Sequence, residues 1–305
     1  MSSHPSQIAV MDDASRLPVT LSILNERHRL REALVMVTAY DFPSARAAEA
    51  AGVDIVLVGD SGAMTVLGYP STVEVSTDEM VMLTRAVRRG LRTPFLIADL
   101  PFGSYEESDE QAVRTAMRFV KEAGADAIKL ERGNATSVAR ARAIIQAGIP
   151  VMGHVGLTPQ TSTALGGYRA QGRSAGSAAR IVEEMLALQD AGCFAIVLEA
   201  VPAAVTEELM PLIDVPVIGI GAGPATDGQV LVFHDLLGIR EGRGARFVRR
   251  YADLQMEMNA GVAAYAADVR GHRYPASEHC YTIDAEELAE FHAELSALSD
   301  EKSRG

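Results

Sequence analysis

Short apolar runs separated by helix-length stretches recur along the chain, and most stop at a residue with chemistry to offer. They are Ile55-Val-Leu-Val-Gly-Asp60, Phe95-Leu-Ile-Ala-Asp99, Ala127-Ile-Lys-Leu-Glu131, Val151-Met-Gly-His154, Ala195-Ile-Val-Leu-Glu199 and Val217-Ile-Gly-Ile-Gly-Ala-Gly223. Such runs, rich in Val and Ile, are what parallel strands covered on both faces look like. With polar residues at one end of them, the pattern predicts an α/β fold of the (β/α)8 TIM barrel type, in which the carboxyl ends of all strands meet at one face. Residues distant in sequence then converge on one pocket.

The remaining elements fit that plan. Leu34-Val-Met-Val-Thr-Ala-Tyr40 predicts the first strand and residues 44–51 the helix after it. Thr20 is placed to cap an N-terminal helix over 20–30, whose apolar spacing suits a plug for the amino end of the barrel. Ala51-Gly52-Val53, Ala123-Gly124-Ala125, Ala147-Gly148-Ile149 and Ala191-Gly192-Cys193 each mark a helix end just before a strand. Gln229-Val-Leu-Val-Phe-His-Asp235 serves equally as an eighth strand or a helix. From about Tyr251 helical patterns flank the breaker Gly271-His-Arg-Tyr-Pro275, and residues 284–298 read as an exposed helix suited to packing on a neighbouring subunit. The expected organisation is a single barrel domain over 1–305, with a loose N-terminus over 1–19 and a C-terminal helical extension over 251–305. A doubly wound open sheet is the rival, but no GxGxxG opens a helix after the first strand.

Composition narrows the function. A net charge of −12 argues against a nucleic acid partner, whose phosphates demand a basic surface. No apolar stretch has the length of a signal peptide or a membrane span, so no membrane partner is expected. A chain of 305 residues builds its own core without disulfides, and Cys193 and Cys280 belong to no CxxC pair. Both features suggest a soluble protein of the reducing cytoplasm.

Asp60, Asp99 and Glu131 end three consecutive strands, and three converging carboxylates repel one another unless a cation sits among them. Hard oxygen ligands select Mg²⁺, whereas zinc would want more His or Cys than His154 supplies. Alternatively each acid caps the following helix, although Glu caps poorly. Lys129 and Glu131 lie two apart and so share a face. Lys129 then either pairs with Glu131 or neutralises a substrate carboxylate beside the metal. Glu199, among apolar neighbours and on a strand distant from the metal acids, is suited to act as a general base. His154 either orients substrate or is a satisfied structural residue. Gly219-Ile-Gly-Ala-Gly223 either cradles a phosphate or merely permits a tight turn.

A set of longer motifs resembles the ketopantoate hydroxymethyltransferase family. These are Thr38-Ala-Tyr-Asp41, Val58-Gly-Asp-Ser61, Ala98-Asp-Leu-Pro-Phe102, Gly153-His-Val-Gly-Leu-Thr-Pro-Gln160, Gly166-Gly-Tyr-Arg-Ala-Gln-Gly172, Leu198-Glu-Ala-Val-Pro202, Gly219-Ile-Gly-Ala-Gly223 and His234-Asp-Leu-Leu-Gly238. The resemblance implies a (β/α)8 transferase of pantothenate synthesis. It would move a hydroxymethyl unit from 5,10-methylenetetrahydrofolate to 3-methyl-2-oxobutanoate and act on small molecules as a homo-oligomer, a decamer. Carried over by position, it implies Mg²⁺ on Asp60 and Asp99 with Glu131 completing the metal environment. Ser61 and Lys129 would hold the keto acid, and Glu199 would be the base.

Two departures stand out: the family usually reads Asp-Ser-Leu-Gly-Met at Asp60-Ser-Gly-Ala-Met64 and Glu-Gly-Gly at Glu131-Arg-Gly133. The first alters the loop beside the substrate; the second adds a cation near the metal rim. The nearest rival is a Mg²⁺-dependent lyase or mutase of the isocitrate lyase and phosphoenolpyruvate mutase group. Lyases of that group carry a Lys-Lys-Cys-Gly-His loop after strand four, where this chain reads Arg132-Gly-Asn-Ala-Thr136. A catalytically silent scaffold barrel is a rival of another class; in it, loss of Glu199 or of a metal acid is expected.

Overall fold

Each apolar run feeds two cores, because successive strand residues point to opposite faces. The computed structural model of the chain describes residues 16–302 except 162–166, 168, 241 and 243. Among these residues β1 (Leu34–Thr38), β2 (Ile55–Val58), β3 (Phe95–Asp99), β4 (Ala127–Lys129), β5 (Val151–Gly156), β6 (Ala195–Glu199), β7 (Val217–Ile220) and β8 (Gly228–Leu231) close in sequence order into a parallel barrel. Met36, Ile55, Ile97, Met152, Val197 and Ile218 fill the interior. Val56, Leu96, Ile128, Val151 and Ile196 face outward, against the helices.

Those helices are α2 (Phe42–Ala51), α3 (Gly62–Thr65) and α4 (Thr77–Gly90), α5 (Asp109–Ala123), α6 (Ala135–Gln146), α7 (Ala175–Asp190), α8 (Ala203–Leu209) and α9 (Phe233–Leu237). Local chemistry sets their starts. Ser76, Ser108, Asn134 and Ser174 each accept a backbone N–H three residues on, a cap worth about 1 kcal/mol. Gly52 and Gly124 end α2 and α5 in the left-handed conformation, as the sequence suggests. The N-terminal helix α1 (Leu21–Leu30) is capped by Thr20 and sends Leu24 into the interior cluster, closing the amino end.

The segment readable as strand or helix is both. β8 stops at Leu231 and α9 starts at Phe233, whose N–H donates to Thr38 Oγ1 at 2.8 Å.

At the amino rim three acids tie strands together. Asp54 Oδ2 accepts the Val35 N–H, Asp126 Oδ2 the Leu96 N–H and Asp227 Oδ2 the Val217 N–H, each at 2.8 Å. Arg27, Arg88 and His28 respectively stand beside them.

A second compact unit begins at Asp253. It holds α10 (Leu254–Arg270) and α11 (Ala285–Lys302), and α10 exposes Met256, Val262 and Tyr265. Among the described residues no helix is long and apolar enough to cross a membrane.

Candidate active site

Two residues beyond the interior layer, the same faces of the strands turn polar. Asp99 follows Ile97, Lys129 follows Ala127, His154 follows Met152 and Glu199 follows Val197, with Asp60 and Glu131 just past the ends of β2 and β4. Asp60, Asp99, Lys129, Glu131 and His154 are buried. Register places Asp99 opposite Lys129, and Lys129 Nζ lies 2.6 Å from Asp99 Oδ1. The ammonium therefore pairs with Asp99 rather than with Glu131, the partner that sequence spacing offers. Its Nζ is also 3.3 Å from His154 Nδ1. His154 bridges the site: Nδ1 is 3.4 Å from Glu131 Oε1, and Nε2 is 3.2 Å from Glu199 Oε2 without hydrogen-bond alignment. Glu199 thus stands away from Asp60 and Asp99 but joins Glu131 through the imidazole. Its side chain is 15% exposed, so its apolar strand desolvates it less than the sequence suggests.

Electrostatics follow from burial and from a surplus of acids. Burial, together with the charges of Asp99 and Glu131, pushes the Asp60 carboxyl well above its usual range. Burial also raises Asp99, against the pull of Lys129. Burial opposes a charged Lys129, yet Asp99, Glu131 and Asp60 outweigh it and hold the ammonium above its ordinary value. Burial and Lys129 likewise oppose a charged imidazole, but Glu131 and Glu199 prevail and bring His154 up to about 9.

Sequence reasoning assigned no role to Gln160, which holds the acids in place. It lies on the 3-10 turn Pro159–Thr161. Its backbone N–H donates to Glu131 Oε2 at 3.0 Å, and its Nε2 donates to Asp60 Oδ2 at 3.0 Å and to the Leu100 carbonyl at 2.9 Å. Tyr105 completes the arrangement by donating its hydroxyl to Gln160 Oε1 at 2.7 Å. Ser61 pairs with Tyr40, oxygen to oxygen at 2.8 Å, and burial pushes the Tyr40 phenol up to about 12. Gly62 packs on that ring: a Cβ there would meet Tyr40 Cδ1 at 2.7 Å, so the unusual Gly62-Ala63 pair makes room for Tyr40.

A cavity of about 830 Å³ opens over Glu199, lined by Leu157, Ile220, Leu231, Phe247, Arg169 and Arg246 among others. The glycines just past the end of β7 serve packing here. A Cβ on Gly221 would strike the Phe247 ring and one on Gly223 the Ala203 Cβ, both at 2.5 Å, and both residues have positive φ.

The donor set suits a hard cation. Asp60 and Asp99 are buried oxygen donors in mutual repulsion, and Asp99 Oδ1 lacks an aligned hydrogen bond. Among the described residues, however, no three His, Cys, Asp or Glu side chains form a ready-made metal cluster. Glu131 is engaged by Gln160 and His154, leaving the two aspartates as the nearest to a cation site.

Known proteins match this chain over most of its length. The sequence profile described as ketopantoate hydroxymethyltransferase matches residues 18–277. The chain is 47% identical over 291 residues to 3-methyl-2-oxobutanoate hydroxymethyltransferase 1, mitochondrial, of Arabidopsis thaliana, covering 93% of this chain and 84% of that one. It is 50% identical over 273 residues to the 3-methyl-2-oxobutanoate hydroxymethyltransferase of Acidothermus cellulolyticus, covering 89% of this chain and all of that one. Among solved structures, a 2,3-dimethylmalate lyase of the PEP mutase/isocitrate lyase superfamily shares the fold at a TM-score of 0.56 and 16% identity, over 93% of this chain and 99% of that one. A barrel with buried acids at its carboxyl rim, matched along nearly its whole length, thus belongs to the ketopantoate hydroxymethyltransferase family of enzymes.

Proposed function

We propose that this enzyme transfers a hydroxymethyl unit from 5,10-methylenetetrahydrofolate to 3-methyl-2-oxobutanoate, forming ketopantoate in pantothenate biosynthesis. The observation that carries this reading is the convergence of Asp60, Asp99, Lys129, Glu131, His154 and Glu199 at one rim, in a chain about half identical to relatives named for that reaction. A Mg²⁺ ion held by Asp60 and Asp99, with Glu131 completing its surroundings, would stabilise the negative charge that develops on the keto acid. Lys129 offers its ammonium to the substrate carboxylate, and Ser61 steadies the same molecule from the edge of the pocket. Glu199, at the border between the buried charges and the open cavity, takes the C3 proton. His154 orients Glu199 from behind and keeps a positive charge beside it. The carbanion then attacks the methylene carbon of the folate, which would sit in the 830 Å³ cavity. Both C–N bonds to that carbon break, a water molecule supplies the hydroxyl group, and the two folate nitrogens take up a water proton and the C3 proton.

A homo-oligomer, decameric by resemblance, is part of the proposal. An apolar groove of about 430 Å³, lined by Val35, Val37, Ala47, Phe233, Leu237 and Tyr251, runs outside β1 and β8, and Val35 is half exposed there. Another copy would cover it. The two free thiols agree with a reducing cytoplasm.

Incubation with 3-methyl-2-oxobutanoate, methylenetetrahydrofolate and Mg²⁺ is expected to yield ketopantoate by mass analysis. Absence of that product, with the protein folded and loaded with metal, overturns the reading.

A further inference from the structure

Arg132 occupies a conformation that arginine rarely adopts. Its φ is +72°, in the left-handed region, and its N–H is held by the His154 carbonyl at 2.8 Å. Such backbone strain collects at ligand clamps, where a side chain's task sustains it. Here the residue follows Glu131 on the outer side of the barrel wall and lines a cavity of about 160 Å³ between the loop after β4, the turn after β5 and α7. Arg180 of α7 lines the same cavity, with Thr158, Thr161 and Glu184. Neither guanidinium has an ion-pair partner among the described residues; Arg180 is exposed, whereas Arg132 is half-buried with its Nε buried and without a hydrogen bond. Gly133 presses this loop onto α7, since a Cβ there would meet Glu184 Cβ at 2.4 Å, so the cavity has a firm floor.

We propose that this cavity is a second anion site, separate from the keto acid pocket, that takes one phosphate-type oxyanion between Arg132 and Arg180. The chemistry selects the ligand class. Half-buried Arg132 and exposed Arg180 both line the cavity, and a tetrahedral oxyanion, with three or four acceptor oxygens against a carboxylate's two, can take separate bonds from each. The volume fits one such group and excludes a nucleotide. Glu184 is the opposing charge in the cavity; burial raises its carboxyl against the Gly133 N–H and the two arginines, and two guanidiniums against one carboxylate keep the formal charge positive. Free phosphate and the end of a phosphoester share this chemistry. The proposal stands whether or not the reaction assigned above is correct.

The test is calorimetric titration of inorganic phosphate into the full-length protein in a low-chloride buffer, with sodium chloride and acetate as comparison titrants. One phosphate per chain is expected, with acetate at least tenfold weaker. Arg132→Gly and Arg180→Gln are each expected to weaken phosphate at least tenfold. Arg132→Gly also relieves the left-handed strain, so its melting temperature without phosphate is expected to match or exceed that of the wild type. Phosphate should then raise the melting temperature of the wild type but not of this variant. Methyl phosphate binding as tightly as phosphate identifies a phosphoester end, and binding tenfold weaker identifies the free ion; either supports the site. No saturable binding beyond chloride, acetate binding equally well, or wild-type affinity in Arg132→Gly overturns it.

Discussion

Acids stand at both rims of the barrel, and they differ in company. At the amino rim Asp54, Asp126 and Asp227 each accept a neighbouring strand's N–H and each has its own basic residue beside it. At the carboxyl rim Asp60, Asp99 and Glu131 share Lys129, His154 and the two donors of Gln160. The first set fastens strands. The second is buried, and Asp60 in particular is left without a charge of its own to answer it. Residue type does not separate the strand-fastening acids from the candidate active-site acids here; uncompensated charge does.

That contrast breaks first, if it breaks, with the cation. Exhaustive chelation, or Asp99→Ala, is expected to take turnover below detection and to abolish 3-methyl-2-oxobutanoate binding by calorimetry. Wild-type keto acid affinity in either case would leave the surplus acids with no cation to serve. Next in size is Glu199→Gln. With metal and keto acid still bound, exchange of the C3 hydrogen for solvent deuterium, followed by NMR, should slow by roughly two to four orders of magnitude. Near-normal exchange would move the base elsewhere, with His154 the first candidate.

Lys129→Ala leaves Asp99 buried and unanswered, and should cost about 3–5 kcal/mol in urea unfolding. It should also weaken keto acid binding more than folate binding; equal losses would make Lys129 purely structural. The sharpest and smallest effect comes from one substitution placed at both rims. Asp54→Asn removes a charge-assisted bond and should destabilise by about 1.5–3 kcal/mol, with turnover per folded molecule unchanged. Asp60→Asn should leave the metal-free protein as stable as before or more so, while turnover is lost. The sign follows from Asp60's raised carboxyl: above the unfolded value ionisation costs the folded state, and a neutral isostere removes that cost at neutral pH. A melting temperature lowered equally at both rims would erase the distinction.

Much of the carboxyl rim was legible in the sequence, because strand periodicity is a local rule. Asp99, Lys129, His154 and Glu199 sit two residues past interior apolar positions, and the alternation alone brings them together. Ser61 came only from the family resemblance. Gln160 and Tyr105 had no such signal: they lie off the strands, and Gln160 reaches Asp60 across a hundred positions of sequence. The pairing of Lys129 with Asp99 lay out of reach for the same reason. Spacing within β4 offers Glu131, whereas the register between β3 and β4 delivers Asp99. The eighth strand was ambiguous because four residues of β8 give way directly to α9.

Leu24 and the side chains that fill the barrel interior leave no passage toward the amino end, so the site is a blind pocket at the carboxyl rim. On the proposed reading, a keto acid seated against Lys129 has one exit, past Glu199 and through the cavity assigned to the folate. Depth then becomes a schedule: the small reactant must arrive first and its product leave last, because the large one shuts the door behind it. Steady-state patterns would show this as an ordered sequence, with ketopantoate competing against 3-methyl-2-oxobutanoate alone, and a random pattern would mean that the pocket has another way in.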